Sequence, residues 1–597
     1  MIPNKVILTG NQAIARGFYE ANGKLAASYP GSPTVEILDS IKEYNNIYSE
    51  FSINEKVALE VGIGSSIAGV RTLVSMKHVG VNICMDPLMT FVQTNINGGF
   101  LLVTGDDPGM ASSQNEQDNR ILAKFANMGI VDPSNSQEAK DFVKEALDIS
   151  ENFNIPMMLR ITSRLCHSRS SVTLDDKIEI ASKNFTPDIS RYCMLPPYSN
   201  RAQHDMKKRL EKLEEYAYST SLNKLEEVEN SNTLIITSGI MYEHLKEVNP
   251  PNVSIYKLGL VYPISIKKIK ELASKYEKVI VIEEMMPFIE NELKVHNIDC
   301  MGKEYFSFTG ELQVEDVEKG LIKASILDSS HTISKDASPI EDIPARGPMF
   351  CSGCPHRPVF DVLKKSKALV IGDIGCYSMS LLYPFEVSKI NISMGASLGI
   401  IKGMCKANSL ENKSTPLVSV IGDGTLFHSG ITGAINLLHQ LDKNDNMTII
   451  ILDNAATAMT GGQPNASSKA YSGVGDMDIN IENLLKTIGF EDVNRIDQFD
   501  YKVCKKTIND AIKRPGISFV ITSRPCTLQH KVSEPHFYVD PDICIGCRNC
   551  IKVNCPPIIM KEYEGHTKLK SSIDPTMCVG CSVCSQVCPV NAIKRSK

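Results

Sequence analysis

Eight cysteines near the carboxyl terminus have a spacing that is typical of iron–sulfur ligands. One run is Cys578-x2-Cys581-x2-Cys584-x3-Cys588, closed by a proline, and an earlier run is built in the same way from Cys544, Cys547, Cys550 and Cys555. Three thiolates at such short intervals can surround one [4Fe–4S] cubane, while the fourth cysteine of each run ligates the cluster of the other run. The two runs therefore predict two clusters in one small module.

The crossed ligation assigns each cysteine to a cluster. One cluster takes Cys544, Cys547, Cys550 and Cys588, and the other takes Cys555, Cys578, Cys581 and Cys584. The earlier run has one additional residue before its fourth cysteine, which changes the loop without removing a ligand. Zinc is the alternative, but four-cysteine zinc modules use paired Cys-x2-Cys knuckles and not two triplets that each end in Cys-Pro. We expect a ferredoxin-like α+β module over residues 536–597.

A second set of chemical groups follows two apolar strands of the central region. Gly422, Asp423 and Gly424 come directly after one strand, and Asn454 comes after the next. Ligands of parallel sheets bind beyond the carboxyl ends of the strands, and glycine lets backbone amides approach a phosphate closely. Asp423 and Asn454 offer the hard oxygen ligands that Mg²⁺ prefers. A lone Gly-Asp-Gly is common in turns, but the second strand with Asn454 favours a magnesium–diphosphate site.

The composition excludes several classes of function. The 597 residues are 42% hydrophobic and 22% charged with a formal net charge of −6, so no electrostatic footprint of a nucleic-acid partner is present. The first residues read as a strand and not as a signal peptide, and the longest apolar runs are shorter than the ~18 residues that suggest a membrane span. Eighteen cysteines without an export signal favour bound metal over disulfides. We expect a cytoplasmic protein.

The order of strands and helices predicts a multidomain α/β protein with parallel sheets. Residues 1–175 alternate short apolar runs with helical segments, whereas residues 176–230 are charged and suggest a linker with an exposed helix. A second α/β region spans residues 231–335 and shows no catalytic constellation. A third spans residues 340–533 and carries the diphosphate motif, and the cysteine module follows it at 536–597.

The diphosphate motif resembles that of thiamine-diphosphate enzymes, in which Gly-Asp-Gly is followed some thirty residues later by Asn. Asp423 and Asn454 occupy the two metal positions of that motif. The resemblance further implies that the carbonyl of Ala456 is a third metal ligand and that Thr457 and Gly461 lie near the diphosphate. Thiamine diphosphate and Mg²⁺ are therefore the expected cofactors.

Thiamine chemistry also needs a carboxylate beside the aminopyrimidine ring, so that a ring nitrogen can take the C2 proton of the thiazolium. The segment 54–64 resembles the pyrimidine-binding segment of 2-oxoacid:ferredoxin oxidoreductases, and alignment on Gly69 places Glu55 at the activating position. Glu60 is the alternative. An exposed helix face is the ordinary place for either glutamate.

Four cysteines outside the module resemble the ligands of a cluster that lies beside thiamine in the same family. Cys351 and Cys354 form a Cys-x2-Cys pair, Cys376 follows an apolar run, and Cys526 follows the last predicted strand. The resemblance implies a third [4Fe–4S] cluster that takes electrons one at a time from the cofactor. The alternative is a set of isolated thiols, which cysteines outside motifs usually are.

The whole chain resembles the alpha subunits of indolepyruvate:ferredoxin oxidoreductases. The stretches 9–17, 29–34, 76–80 and 113–118 carry this resemblance together with the thiamine and cysteine motifs, and the second region is similar to the small C-terminal domain of transketolases. The resemblance implies oxidative decarboxylation of aryl pyruvates with CoA and ferredoxin. It also implies a separate smaller beta subunit in an α2β2 assembly, since single-chain relatives contain a further domain.

The resemblance places Ser32 against the substrate, where pyruvate-oxidising relatives carry threonine. The alternative is helix capping, which Ser-Pro-Thr before an apolar helix often provides. Those relatives also carry an arginine for the substrate carboxylate after a strand, where this chain reads Thr104-Gly105-Asp106. Substrate recognition is therefore expected to differ from that of the pyruvate enzymes. His78 is expected to be structural.

Three alternatives differ in which motifs they use. Another 2-oxoacid:ferredoxin oxidoreductase would need all of them. A non-oxidative thiamine decarboxylase would have no use for the cluster cysteines, and an electron-transfer subunit would leave Asp423 and Asn454 without a role. No CoA-binding motif is visible in the chain.

Overall fold

The computed structural model describes residues 5–196, 198–331, 347–468, 479–530 and 534–596. The chain divides into two compact units at residue 340. The predicted domain boundaries at residues 335, 340 and 533 lie outside the described residues. No helix in the described ranges is long and apolar enough to cross a membrane.

The first half of unit one alternates strands and helices, as its sequence predicts. Its elements, numbered in chain order, are β1 (Lys5–Thr9), α1 (Gly10–Glu20), β2 (Leu25–Ser28), α2 (Val35–Ile41), β3 (Tyr48–Phe51), α3 (Glu55–Ala68), β4 (Thr72–Lys77), α4 (His78–Phe91), β5 (Phe100–Asp106), α5 (Asn119–Ala126), β6 (Gly129–Val131), α6 (Ser136–Phe153), β7 (Met157–Thr162), α7 (Ser163–His167) and β8 (Arg169–Thr173).

The second half of unit one contains a long helix and a smaller α/β region. Its elements are α8 (Ile189–Tyr192), α9 (Tyr198–Ala217), β9 (Lys224–Glu226), β10 (Thr233–Ser238), α10 (Ile240–Val248), β11 (Val253–Leu258), β12 (Leu260–Tyr262), α11 (Ile266–Ala273), β13 (Lys278–Ile282), α12 (Phe288–Val295) and α13 (Val314–Lys323).

The strands of unit one form two main sheets. The larger has the order β12-β6-β7-β5-β4-β2-β3 and is parallel except for β12, which pairs antiparallel with β6. The smaller has the order β13-β10-β11-β9, with β9 antiparallel. Every residue of β5 and β7 is buried, which is typical of parallel strands covered by helices on both faces. The predicted parallel-sheet α/β fold is confirmed.

The region expected to be an exposed linker is more closely packed than its charge predicts. Helix α9 buries Met206, Leu213 and Ala217, and Arg209 donates to backbone carbonyls of residues 92–94. Strand β9 joins the smaller sheet. The prediction of an exposed connecting helix was therefore wrong for one face of α9. A charged helix can still bury a narrow apolar stripe, which composition alone does not reveal.

Unit two contains a parallel sheet followed by the cysteine module. Its elements are α14 (His356–Lys365), β14 (Leu369–Ile371), β15 (Ser388–Ile390), α15 (Ala396–Leu410), β16 (Leu417–Gly422), α16 (Asp423–Thr425), α17 (Ile431–His439), β17 (Asn446–Asp453), α18 (Ile481–Ile488), β18 (Val493–Ile496), α19 (Tyr501–Lys513), β19 (Gly516–Ser523), β20 (Phe537–Val539), β21 (Ile558–Lys561), β22 (Lys570–Ile573), α20 (Val583–Gln586) and β23 (Ile593–Arg595).

The main sheet of unit two has the order β15-β14-β16-β17-β19-β18, and all of its pairs are parallel. The carboxyl ends of β14, β16, β17 and β19 therefore meet at one edge. The cysteine module adds two antiparallel pairs, β20 with β23 and β21 with β22. One pair joins the first strand of the module to the last and the other joins two consecutive strands, which agrees with the α+β module that the cysteine spacing predicts.

Candidate functional site

Asp423 and Asn454 lie at the same edge of the sheet in unit two. Asp423 begins α16 directly after β16, and Asn454 follows β17, which pairs in parallel with β16. Both side chains are buried. The structure thus brings together the two residues that the sequence predicts as metal ligands.

The amide of Asn454 lies between two oxygen atoms. One of its polar atoms is 3.1 Å from Asp423 Oδ1 and 2.8 Å from the carbonyl oxygen of Ala456. An amide nitrogen in that position donates to both neighbours. An amide oxygen in that position would instead place three acceptor oxygens, from Asn454, Asp423 and Ala456, next to one another. A bound cation would stabilise that arrangement. Because carboxylate, amide and carbonyl oxygens suit octahedral Mg²⁺, the residues present fit the predicted ion.

The electrostatics of Asp423 also favour a cation. Burial raises the pKa of this carboxyl to about 7, and the nearby charge of Asp453 adds to the effect. The backbone amide of Gly424 donates to Asp423 Oδ1 at 2.9 Å, and Ser467 Oγ donates to Oδ2 at 3.2 Å. A divalent ion would supply the charge that keeps such a carboxyl ionised in a buried site.

The predicted diphosphate neighbours Gly424 and Thr457 lie close together. A Cβ atom on Gly424 would lie 3.1 Å from Thr457 Oγ1, so the two motif segments are in close approach. The loop after β17 folds back on itself, because Thr457 N donates to the carbonyl of Gln463 at 2.8 Å. Gly461 has a φ of 125°, which side-chain-bearing residues rarely adopt. The loop is thus held by its own backbone hydrogen bonds and lies against Gly424, where the diphosphate is predicted.

Two cavities in the cysteine module are lined by the two predicted sets of ligands. The first is lined by what we call the outer group: Cys544, Cys547, Cys550 and Cys588. The second is lined by what we call the inner group: Cys555, Cys578, Cys581 and Cys584. The crossed assignment of Cys555 and Cys588 agrees with this geometry.

Cysteine thiols in the inner group lie in an apolar environment. Burial raises the pKa of Cys581 to about 11 and raises that of Cys555 as well. Thiolates are the form that binds metal, so positive charge from iron is needed to keep these groups ionised. Across the described residues, no three cysteine, histidine or carboxylate side chains close around a single ion. The inner and outer thiols line the walls of cavities.

The four scattered cysteines influence one another electrostatically, and we call them the proximal group: Cys351, Cys354, Cys376 and Cys526. Cys354 N donates to the carbonyl of Cys351 at 3.2 Å. Burial raises the pKa of Cys354 to about 12, with contributions from Cys376 and Cys351. Burial likewise raises the pKa of Cys376 to about 11, with contributions from Cys526 and Cys351. The charges of these four thiols therefore act on one another.

The proximal group touches the metal site on one side. Cys526 N donates to the backbone carbonyl of Asn454 at 3.0 Å. Cys376 and Cys526 follow β14 and β19, whose carboxyl ends lie at the edge that carries Asp423 and Asn454. One backbone hydrogen bond thus links Cys526, a predicted cluster ligand, to Asn454, a predicted metal ligand.

The proximal group touches the inner group on its other side. Gly353, between Cys351 and Cys354, lines the inner cavity, and its backbone amide lowers the pKa of Cys555 by hydrogen bonding. A Cβ atom on Gly353 would lie 2.0 Å from Val579 Cγ2, so only glycine permits this approach. Sequence reasoning missed this role, although a glycine inside a Cys-x2-Cys pair was a usable signal.

In unit one, the structure distinguishes the two candidate glutamates. Asn54 caps α3 by accepting from Val57 N at 2.8 Å, which makes Glu55 the first helical residue. Glu55 is buried, and a Cβ atom on Gly80 would lie 2.5 Å from its Cγ atom. Glu60 is exposed and forms an ion pair with Lys56. The geometry favours Glu55 as the residue that serves a buried site.

Ser32 and Glu55 lie at one edge of the larger sheet. Ser32 follows the carboxyl end of β2, and Glu55 follows that of its parallel neighbour β3. Thr34 and not Ser32 is the cap residue of α2. His78 is buried with its ring nitrogens 3.3 Å from the carbonyl of Gly105 and 3.1 Å from that of Asn115. These contacts agree with the structural role expected for His78.

Family models match three parts of the chain. "Pyruvate flavodoxin/ferredoxin oxidoreductase, thiamine diP-bdg" matches residues 16–233. "Thiamine pyrophosphate enzyme, C-terminal TPP binding domain" matches residues 373–522, which include the Asp423 site. "4Fe-4S binding domain" matches residues 572–594. A thiamine-diphosphate-binding fold and a [4Fe–4S] motif are therefore both present in the chain.

Relatives of nearly the same length are similar over almost the whole sequence. Indolepyruvate oxidoreductase subunit IorA of Pyrococcus horikoshii is 35% identical over 99% of this chain and 97% of its own length. The subunit IorA of Archaeoglobus fulgidus is 35% identical over 99% of this chain and 98% of its own. A solved 2-oxoglutarate:ferredoxin oxidoreductase from Magnetococcus marinus is 13% identical, covering 54% of this chain and 66% of that one. Its TM-score of 0.47 is too low to support an inference.

The long matches to subunit IorA extend over both units and include every predicted ligand segment. At this identity and coverage, the chain belongs to the family of indolepyruvate oxidoreductase IorA subunits.

Proposed function

We propose that the chain is the catalytic subunit of an indolepyruvate:ferredoxin oxidoreductase. In the proposed reaction, an aryl pyruvate and CoA give an aryl-acetyl-CoA and carbon dioxide, and the two electrons leave singly to ferredoxin. The observation that carries the proposal is a series of contacts: Cys526 N donates to the carbonyl of Asn454, the neighbouring Thr527 hydroxyl donates to the carbonyl of Ser352, and the amide of Gly353 donates to Cys555. A decarboxylase that releases an aldehyde would have no use for this connection.

The metal and diphosphate residues would hold the organic cofactor in place. Asp423, Asn454 and the carbonyl of Ala456 would hold Mg²⁺, and the loop from Thr457 to Gly461 would receive the diphosphate. Thiamine diphosphate, when bound, supplies the carbanion that attacks the 2-oxo carbon. Glu55 would hold a proton at the aminopyrimidine ring, and its burial keeps bulk water from competing for that proton. Ser32 is proposed to face the substrate.

The three groups of cysteines provide a path for single electrons. The proximal group would receive them beside the metal site and pass them to the inner group across Gly353. The outer group would be last, and Cys547 of that group is exposed to solvent. Ferredoxin is therefore proposed to accept electrons at the face that carries Cys547. Three [4Fe–4S] clusters for each chain follow from this path.

The remaining partners come from the family resemblance. A smaller beta subunit in an α2β2 assembly would complete the enzyme. A cytoplasmic location is proposed because reduced thiols are maintained there, and all eighteen cysteines are free.

The test is an anaerobic assay of the complex, purified with the smaller subunit. Indolepyruvate, pyruvate and 2-oxoglutarate are offered with CoA, and dye reduction and product are measured. Turnover that is fastest with indolepyruvate supports the proposal. Aldehyde without dye reduction would point to a decarboxylase, and no turnover of any 2-oxoacid would point to an electron carrier.

The metal site is tested by Asp423→Ala in the same complex. Loss of the carboxylate should release Mg²⁺ and thiamine diphosphate and lower kcat/KM by at least about a thousandfold, roughly 4 kcal/mol of transition-state stabilisation. Thiamine content, measured after gel filtration, separates cofactor loss from misfolding. Asp510→Ala is the control, because Asp510 is a half-exposed helix residue paired with Lys506. An Asp423→Ala enzyme with normal thiamine content and rate would refute the metal assignment.

A further inference from the structure

Arg357 is a buried cation that the proposed reaction does not use. It is the second residue of α14 and is 2% exposed. Its Nε donates to the carbonyl of Cys351 at 2.9 Å, and its Nη2 donates to the carbonyl of Phe350. Its Nη1 is buried without a hydrogen-bond partner. In the ranges that the structure describes, no carboxylate forms an ion pair with this guanidinium.

This position is unfavourable for a positive charge unless an anion faces it. The first turn of a helix carries the positive end of the helix dipole, so a cation there is destabilised. Burial adds a desolvation cost, which usually requires a paired counter-charge. An arginine cannot escape that cost by losing its proton in the accessible pH range. The charge of Arg357 must therefore be balanced by a group that binds later.

Arg357 lies close to two cysteine groups. Its Nε and its backbone amide donate to the carbonyls of Cys351 and Cys354 at 2.9 and 3.2 Å, and Gly353, between those two cysteines, lines the inner cavity. Burial lowers the pKa of Arg357, and the charges of Cys555, Cys354, Cys351 and Cys581 oppose that effect. Cys351 and Cys354 belong to the proximal group, whereas Cys555 and Cys581 belong to the inner group. The guanidinium thus lies where it can act on both groups. Stacking over the Phe350 ring, 5.7 Å from its centroid, helps to fix it there.

We propose that Arg357 sets the reduction potentials of the proximal and inner clusters together. A cluster held by four thiolates is negatively charged, and its negative charge grows by one when it accepts an electron. A fixed cation in a dry site favours the reduced form of each neighbour, so it raises both potentials. The electron can then pass between the two clusters without a large step in energy. This inference rests on the proposed function, because it requires a cluster at the proximal group.

The test is a redox titration of the three clusters, followed by electron paramagnetic resonance in the intact complex. Arg357→Met removes the charge and keeps much of the volume. We expect the ratio of reduced to oxidised proximal and inner clusters at a given solution potential to fall at least tenfold, which is a shift of about −59 mV for a one-electron couple. The outer cluster is the internal reference and should not move.

Two further variants separate charge from hydrogen bonding. Arg357→Lys keeps the charge but loses the fork that reaches Phe350 and Cys351, and it should leave both potentials near those of the parent. Arg524→Gln is the matched control, because Arg524 also lies near Cys581 but is 45% exposed and paired with Asp497. Solvent screens that charge, so a much smaller shift is expected.

Each contrary outcome bears on a different part of the proposal. Unchanged potentials in Arg357→Met, with all clusters present by iron analysis, overturn the proposal and leave the proposed function intact. Equal shifts in Arg357→Lys and Arg357→Met assign the effect to hydrogen bonding and also overturn it. Loss of the inner cluster in both variants would make Arg357 a structural residue only. A parent complex with two clusters would instead refute the proximal cluster and thus the proposed path.

Discussion

Unit one and unit two both bury arginines, but they neutralise them in different ways. In unit one, Arg120 donates to Asp118 and, at 2.8 Å, to Glu283, and Arg160 donates to Asp106 at 2.9 Å. These side chains are almost fully buried, and Arg120 also reaches the backbone carbonyls of residues 284 and 286. In unit two, Arg357 is equally buried but lies close to two cysteine groups.

The difference distinguishes Arg120, whose charge stabilises the fold, from Arg357, whose charge is proposed to serve the function. The ion pairs of Arg120 join the larger sheet to the smaller sheet of unit one, since Asp118 precedes α5 and Glu283 follows β13. Their charges are balanced by the protein itself and need no ligand. In the proposed enzyme, the charge of Arg357 is balanced by the clusters that bind beside it. Burial of a charge therefore indicates function when its counter-charge is not supplied by the protein.

The largest expected effect is on the ion pairs of unit one. Arg120→Met leaves Asp118 and Glu283 buried without their cation, which should cost about 3–5 kcal/mol of unfolding free energy. Hydrogen exchange of the β5 and β7 segments during urea unfolding measures this loss in unit one alone. In the iron-free protein, Arg357→Met should cost less, because it leaves no buried carboxylate unpaired within the described residues.

Arg201→Met is the control for this change. Arg201 is 77% exposed and pairs with Asp205 on the same helix, so its loss should change stability by less than about 0.5 kcal/mol. Equal losses for Arg120→Met and Arg201→Met would show that the buried pairs contribute nothing, and the comparison would then fail.

A smaller effect is expected from the pH dependence of unit one. Burial raises the pKa of Glu284 from its ordinary 4.5 to about 7. Between these values the folded state keeps a proton that the unfolded state has lost, so stability should fall as pH rises from about 4.5 to 7 and then level off. Glu284→Gln removes the titration and should reduce the fall by about 2–3 kcal/mol.

The pH profile needs a control and a clear contrary result. Glu247→Gln alters an exposed glutamate of α10 and should leave the profile as it is in the parent. If unit one of Glu284→Gln loses as much stability as the parent over this pH range, the assignment to Glu284 is wrong. Thermal unfolding at several pH values, followed by hydrogen exchange, supplies the measurement.

The parts of the site that depend on local spacing could be predicted from the sequence. The ligand sets of the module follow from short intervals between cysteines, and the cavities contain the same two sets. Asp423 and Asn454 could be placed at one edge because each follows an apolar strand, and adjacent parallel strands end at the same edge. Buried strands such as β16 and β17 are recognisable by their continuous apolar runs.

The parts that depend on distant contacts could not be predicted. Strand β12 leaves the smaller region to pair with β6, and no local pattern in three residues indicates that partner. Arg357 reads as an ordinary charged residue at a helix start, because the thiols of Cys555 and Cys581, whose charges act on it, lie about two hundred residues further along the chain. Alignment on Gly69 favours Glu55 over Glu60, but the burial of Glu55 and the exposure of Glu60 could not be predicted from that alignment.

In the proposed enzyme, Cys526 connects the thiamine site to iron on the same chain. The most direct measurement is freeze-quench electron paramagnetic resonance after mixing the thiamine-loaded Cys526→Ala complex with indolepyruvate. Carbon dioxide should still be released in the first turnover, because the hydrogen bond to Asn454 uses only the backbone. In Cys526→Ala, reduction of the inner and outer clusters should fall to background. Cys504→Ala is the control, because it alters a buried cysteine of α19, and its clusters should be reduced as in the parent. Reduction of the inner cluster at the parent's rate in Cys526→Ala would contradict the account.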